Sequence, residues 1–257
     1  MKLQCKQHKF IEFLEKLSLD GIFSTSTITV ETKDKKTFLF SVQKASGAMT
    51  IRYLKVEAEY FDVLEAGKKS INIEIPRFLK IMKNVPSERD VIMELEGNKV
   101  SLDLGKATPR LPYTEPEESI KKLPISVEDG VTLFGKKKTP LDVSFVMDLV
   151  ELKDIVSYAK AIDTEFFEFV STDKNISVRI GDIHDIDAYV PYACEAKLKT
   201  GKTLDSIYTY GIKEMSNTFT QNEFTFHCAT DKPAWIYEKG DDYILAIAIP
   251  PKIKQKD

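Results

Sequence analysis

The strongest constraint on what this chain can fold into is a pattern that occurs twice: a short helix with one apolar and one lysine-bearing face, then strands, then a second short helix. Phe10, Ile11, Leu14 and Leu17 recur at helical spacing and leave Lys9, Glu12 and Lys16 on the other side. A second helix begins at Pro76, a favoured first helical residue, with Ile75, Phe78, Leu79 and Met82 on one face and Arg77, Lys80, Lys83 and Asn84 opposite. The later half repeats the plan. A helix over 151–162 points Leu152, Ile155, Val156 and Ala159 inward and Lys153, Ser157 and Lys160 outward, and a short helix over 211–218 sets Ile212 and Met215 against Lys213. The whole chain carries a formal net charge of -3. An acidic chain that concentrates lysine on short helices holds positive charge where an acidic polymer can meet it.

Strands fill the intervals. Segments 24–30, 37–42 and 48–56 alternate or run apolar, with turns at Lys33-Asp34-Lys35 and Ala45-Ser46-Gly47. Segments 90–95 and 99–104 form a hairpin about Glu96-Gly97-Asn98, and 107–113 extends it as an edge strand because Pro109 and Pro112 cannot donate hydrogen bonds. Later strands are expected at 141–147, 166–171, 176–180, 184–192, 207–210, 224–228, 234–238 and 243–249. The stretch 114–140, with scattered prolines, acids at 115–118 and Lys136-Lys137-Lys138, reads as a connector. The expected architecture is therefore α+β, with antiparallel sheets and short helices in two tandem domains, 1–113 and 141–257, joined by 114–140.

Composition narrows the class. With 257 residues, 42% hydrophobic and 30% charged, the chain can bury its own cores. Its three cysteines, Cys5, Cys194 and Cys228, are odd in number and widely separated, which fits a reducing, intracellular setting. The first residues lack the apolar core of a signal peptide, and no run approaches the ~20 apolar residues of a membrane helix, so no membrane role is expected.

Chemistry-bearing motifs are sparse. The histidines, His8, His184 and His227, sit in no metal-spaced motif. Asp182, His184, Asp185 and Asp187 cluster in sequence, but on a strand Asp182 and His184 face away from Asp185 and Asp187, which favours an exposed edge over a metal site. Leu198-Lys199-Thr200-Gly201-Lys202-Thr203 echoes the end of a phosphate-binding loop, yet Ala196 stands where the first glycine is required, so a plain flexible loop is expected. The reading is of a protein that is not an enzyme, with no metal and no cofactor.

Ser70-Ile71-Asn72-Ile73-Glu74-Ile75 before Arg77-Phe78-Leu79-Lys80-Ile81-Met82-Lys83, the hairpin that follows, and the tail from Tyr243 to Ile253 with its Pro251-Lys252-Ile253 resemble the archaeal and eukaryotic sliding clamps of the proliferating cell nuclear antigen (PCNA) family. The resemblance in order of elements covers nearly the whole chain. It implies the DNA-clamp fold: sheets outside, and short helices lining the central channel of a head-to-tail homotrimeric ring around duplex DNA. It also implies a processivity factor and docking platform for a DNA polymerase and other replication and repair proteins, served by a clamp loader. Such a protein is cytoplasmic in an archaeon or in a virus of a prokaryote and nuclear in a eukaryote. Two alternatives stand beside it: a clamp paralogue of a hetero-oligomeric, checkpoint-type ring, and a monomeric protein-interaction module that never meets DNA.

By position in that family, the channel-facing residues are Lys9, Lys16, Arg77, Lys80, Lys83, Lys153, Lys160 and Lys213. Each alone also reads as an ordinary solvated lysine or arginine. The last short helix offers only Lys213, beside Glu214. The partner-peptide pocket falls at Ala48, Met49, Ile51, Leu123, Ile125, Val131, Leu133, Pro233, Ala248, Pro250 and Pro251. Met49, Ile51 and Ala248 equally read as core, and sequence does not separate the two. The subunit interface falls at Arg110, Leu111 and Tyr113 on one edge and Asp185, Asp187 and Tyr189 on the other. Because Pro109 and Pro112 remove two donors from the first edge, the ring is expected to be weak or salt-sensitive. Light scattering should show mass falling below three subunits at nanomolar concentration and high salt; a trimer that persists there would contradict this.

Overall fold

The computed structural model describes residues 1–44, 50–67, 70–116, 125–128, 131–134, 139–171, 176–181, 190–194, 197–201, 206–211, 219, 221–229, 232–249 and 251. The chain divides into two compact units. Unit 1 comprises Met1–Ala45, Arg52–Lys121 and Gly240–Leu245, and unit 2 comprises Ser46–Ile51, Lys122–Lys239 and Ala246–Asp257.

In unit 1, strand β1 (Lys2–Lys6) leads into helix α1 (Gln7–Ser18), then β2 (Thr25–Lys33), β3 (Lys36–Lys44), β4 (Ile51–Glu57) and a 3-10 turn at Ala58–Tyr60. Next come β5 (Val63–Glu65), β6 (Ile71–Glu74), helix α2 (Ile75–Met82), β7 (Asp90–Glu96), β8 (Lys99–Asp103) and β9 (Arg110–Pro112). One sheet runs β5-β1-β7-β8-β9 and another β6-β2-β3-β4. The β2 pattern shows how alternation sets the faces: Ser26, Ile28 and Val30 are buried while the three threonines between and before them are only half-buried. Helix α1 turns out of its last turn through Leu19 and Asp20 at φ +48° and +53°, and Gly21 at φ +87° completes the reversal where a side chain would be strained.

Unit 2 begins its strands in the connector, with β10 (Ile125–Glu128), β11 (Val131–Phe134) and β12 (Thr139–Pro140) forming a small antiparallel sheet. Then follow β13 (Val143–Asp148), helix α3 (Leu149–Ala161), β14 (Phe166–Ser171), β15 (Ile176–Ile180), β16 (Val190–Tyr192), β17 (Lys197–Gly201) and β18 (Ser206–Gly211). Strands β19 (Glu223–Cys228), β20 (Ala234–Lys239) and β21 (Tyr243–Ile249) close the chain. Strand order is β17-β13-β19-β20-β21 in one sheet and β16-β15-β14-β18 in the other. The two sheets meet in an aromatic core. Phe145 of β13 stacks on Phe226 of β19 with centroids 5.0 Å apart, and Phe169 of β14 stands edge-on to both at 4.8 and 4.9 Å.

The α+β architecture with antiparallel sheets matches the expectation from hydrophobic pattern, and the three described helices fall where periodicity places them. Six strands do not. β1 and β5 are short and carry few apolar residues, so their cross-strand partners rather than their own pattern define them. β10, β11 and β12 lie in the stretch expected to be a plain connector. β17 occupies Lys197–Gly201, expected as a flexible loop; its ladder to β13, with Ser144 opposite Thr200, holds it extended. Gly211, the expected start of the last helix, ends β18 instead; 212–218 and 184–189 lie outside the described residues, and β16 occupies the end of the strand expected at 184–192.

Unit 1 buries a cation that has no carboxylate partner among the described residues. Arg52 on β4 is fully buried; its Nη2 donates to Ser26 Oγ and Ser41 Oγ, each at 2.8 Å, and its guanidinium lies 4.8 Å from the Phe23 ring centroid. Nε and Nη1 have no hydrogen-bond partner among the described residues, and burial lowers the pKa from the ordinary guanidinium value to about 9. From about pH 9 up to the ordinary guanidinium range the unfolded chain therefore holds this proton more firmly than the folded one, so the contribution of Arg52 to stability improves as pH rises through that window. Arg52→Met, which leaves Ser26 and Ser41 bonded to each other at 2.9 Å, should raise stability at pH 7 by about 1–3 kcal/mol, the gain expected when a buried charge gives way to a packed apolar side chain. That advantage should shrink at pH 10. Denaturant unfolding of both proteins at the two pH values checks it, and a variant less stable at both would refute it.

Candidate nucleic-acid interface

Helix α2 carries the clearest basic face. Ile75, Phe78 and Met82 are buried, so at 100° per residue Arg77, Lys80 and Lys83 must project away from the core, and all three are exposed. Arg77 Nε is held by Glu74 Oε2 at 2.7 Å, one helical turn back. Lys80 and Lys83 form no ion pair with any described residue and remain available to an external anion.

The start of α1 is locked against the end of α2. Gln7 is buried, and its Nε2 donates to Met82 O at 2.7 Å. No side chain caps α1; its first amides instead donate to the loop after α2, from Gln7 N to Arg89 O at 2.8 Å and from His8 N to Ser87 O at 3.3 Å.

The two expected channel residues on α1 are less open than those on α2. Lys16 is only 2% exposed; its Nζ lies 4.2 Å from the Tyr243 ring centroid and 3.6 Å from Glu12 Oε1. Lys9 is half-buried, with Nζ 3.4 Å from Tyr60 O and 5.5 Å from the Tyr60 ring centroid. The reason is the identity of the apolar stripe. Phe13 is buried and Ile11 is not, which rotates the inward direction by about 40° and brings the lysine flank to the margin of the core. His8 and Glu15 are the exposed positions of α1, with Glu12 half-exposed.

On α3, Asp148 caps the N-terminus by accepting from Glu151 N at 2.9 Å, and Leu152, Ile155 and Ala159 are buried. Lys153 and Lys160 are exposed on one flank. The opposite flank is occupied differently. Tyr158 lies 6.1 Å from the Tyr192 ring, Tyr192 Oη donates to Asp154 Oδ2 at 3.4 Å, and Cys194 Sγ donates to Glu151 Oε2 at 3.5 Å. Burial and these carboxylates push the Tyr192 phenol up to about 12. Lys213 lies outside the described residues.

The expected interface residues divide similarly. β9 is an edge strand carrying Arg110 and Leu111; Arg110 Nη2 sits 3.1 Å from Glu96 Oε2, and Tyr113 Oη donates to Gly97 O at 3.1 Å. β16 is likewise the edge of its sheet among the described residues. Asp185, Asp187 and Tyr189 lie outside them.

Among the expected pocket residues, Ile51 is half-buried on β4, Pro233 half-buried before β20, Ala248 buried in β21 and Pro251 half-buried. Ile125, Val131 and Leu133 belong to β10 and β11, where Ile125 pairs with Phe134 and Leu133 with Ser126. All of these fall in unit 2. Ala48, Met49, Leu123 and Pro250 are outside the described residues.

No group of three or more metal-ligating side chains forms among the described residues, and Asp182, His184, Asp185 and Asp187 lie outside them. His227 is buried with its ring 5.0 Å from that of Tyr237, and burial pushes the Cys5 thiol up to about 12, leaving it unreactive. No helix among the described residues is long and apolar enough to cross a membrane.

The fold is one of two compact units of antiparallel sheets and short helices. Solved structures specify it further as the PCNA fold. The chain is similar to A. fulgidus PCNA, solved with the C-terminal region of FEN-1, at 15% identity and TM-score 0.76, covering 99% of each chain. It is similar to PCNA from Entamoeba histolytica at 12% identity and TM-score 0.75, covering 98% of each. It is also similar to a PCNA2-PCNA3 complex from Sulfolobus tokodaii at 14% identity and TM-score 0.71, covering 98% of this chain and 99% of that one. No family model matches the chain, and no curated protein matches it in sequence.

The different environments of the lysines have a measurable consequence. Lys16→Ala should lower stability by about 1–3 kcal/mol, because it removes a buried stem and a cation–π interaction. Lys80→Ala should change it by no more than about 0.5 kcal/mol, as expected of an exposed position. Urea unfolding of both variants tests this, and equal destabilisation would refute it.

Proposed function

We propose that the chain is a DNA sliding clamp: a non-catalytic ring of clamp subunits around duplex DNA that tethers a DNA polymerase and other replication and repair proteins. The likeness in fold to PCNA structures over nearly the whole of both chains carries this reading. The exposed basic faces support it, since lysines that touch phosphates hold a duplex without reading its bases, as sliding requires. Lys80 and Lys83 on α2 and Lys153 and Lys160 on α3 are the principal channel residues, with Arg77 and Lys213 in supporting places. Lys16 is assigned to the core of unit 1, and Lys9, half-buried against Tyr60, to the margin of the channel face. The subunits join head to tail through β9 and the 184–192 edge, a heterologous contact that closes as a homotrimer, and a loader opens it onto DNA.

Partner proteins dock a short peptide on unit 2, around Ile51, Ile125, Val131, Leu133, Pro233, Ala248 and Pro251, with Ala48, Met49, Leu123 and Pro250 completing the pocket. One observation favours a second reading. A structure similar to this chain is a complex of two different clamp subunits, so a hetero-ring is the alternative, recognised by assembly only on mixing with a partner clamp chain.

The test is polymerase processivity and duplex binding across a salt series, alongside solution mass. The homomeric clamp reading expects a mass tending to three subunits and a salt-dependent increase in processivity. Lys80→Ala combined with Lys83→Ala should reduce the slope of log affinity against log salt by about one for each phosphate that the variant no longer neutralises. A chain that stays monomeric at high concentration and leaves processivity unchanged would overturn it.

A further inference from the structure

Unlike α2 and α3, helix α1 has no exposed lysine. Its outward stripe is His8, Glu12 and Glu15, which stand at i, i+4 and i+7 on the side opposite the buried Phe10, Phe13, Leu14 and Leu17. Two carboxylates beside a neutral imidazole repel a phosphate backbone. A protonated imidazole gives the same stripe one attractive end.

That end lies where α1 meets α2. The Gln7 side chain bonds Met82 O, and the Gln7 and His8 amides bond Arg89 O and Ser87 O, so the first turn of α1 rests on the residues that end and follow the basic helix. The His8 ring repeats the contact: Nδ1 is 3.1 Å from Ser87 O, on a side chain that is half exposed. A carbonyl only accepts, so this bond requires the proton on Nδ1. In the neutral ring Nε2, on the other side, is then an acceptor, and the second proton is added there. Protonation turns that nitrogen into a charged donor without disturbing the bond that orients the ring, which is the change a phosphate oxygen responds to.

We propose that His8 is a proton-switched contact to the duplex backbone, adding a phosphate contact beside Lys80 and Lys83 when it is protonated and none when it is neutral. The proposal rests on the clamp reading and adds to it a dependence of duplex affinity on pH. Charged groups from every neighbouring element bear on this proton. The loop after α2 brings Glu88 Oε1 to 3.8 Å from Nδ1 and carries Arg89 next to it. α1 supplies Lys9 and Glu12, α2 supplies Lys80 and Lys83, and the 3-10 turn supplies Tyr60, whose Oη donates to Lys9 O. Lys6 of β1 and Asp90 of β7 pair with each other at 2.7 Å, and β2 turns uncharged Ser26, Ile28 and Val30 inward.

The test is the affinity of the full chain for a linear duplex, read by fluorescence anisotropy at pH 8 and pH 5.5 at one low ionic strength. The wild type should bind about 2- to 5-fold more tightly at the lower pH, the range of an exposed ion pair. Its slope of log affinity against log salt should steepen by about one for each His8 that meets a phosphate. His8→Gln, uncharged at both pH values, should lose the difference, and His8→Lys, charged at both, should bind at pH 8 as tightly as the wild type does at pH 5.5. Unchanged urea unfolding curves are expected of both variants at this exposed position and exclude a folding defect. If the wild type binds the duplex equally at both pH values, or His8→Gln keeps the full pH dependence, this contact is wrong and the clamp reading stands. If the chain binds no duplex at either pH, both fall.

Discussion

Burial of Ile75, Phe78 and Met82 on a helix of only eight residues is the constraint on which the functional face depends. A helix this short has little stability of its own, so its rotation about its axis is set by tertiary packing. Once those three side chains are inside, Arg77, Lys80 and Lys83 have nowhere to point but outward. The Gln7 side chain then fixes the C-terminal end by donating to Met82 O, a buried bond whose removal would leave both a carbonyl and an amide unsatisfied. The basic face of α2 is therefore a product of the core.

The same logic gives α3 two separate faces. Leu152, Ile155 and Ala159 lie within a narrow inward arc, which leaves two flanks of one helix free for different work. Lys153 and Lys160 occupy one, and Tyr158 with Asp154 occupies the other. A single packing event, α3 against the unit whose centre is Phe145, Phe169 and Phe226, thus orients a lysine-bearing flank and an aromatic, acidic flank together. Mutations that loosen the aromatic centre would blur both at once.

What could be read in the sequence follows from which signals are local. The stripes of α2 and α3 were legible because every inward residue is aliphatic or aromatic at regular spacing. The stripe of α1 misled by one position: Ile11 and Phe13 are both apolar, periodicity alone cannot choose between them, and the choice decides whether Lys9 and Lys16 face solvent. A lysine beside Tyr60 or Tyr243 has partners far away in sequence, at 60 and 243, which no local window contains. The strands β1, β5 and β17 were hidden for the same reason, since each exists through its ladder.

These observations also account for a fold kept at 12–16% identity. A sheet core needs apolar residues of suitable volume at alternating positions, which many residue choices satisfy. A helix that holds a duplex without reading it needs the sign of a charge at an exposed place, and either lysine or arginine, one turn earlier or later, supplies that. Edge strands that pair through the main chain ask still less of the side chains.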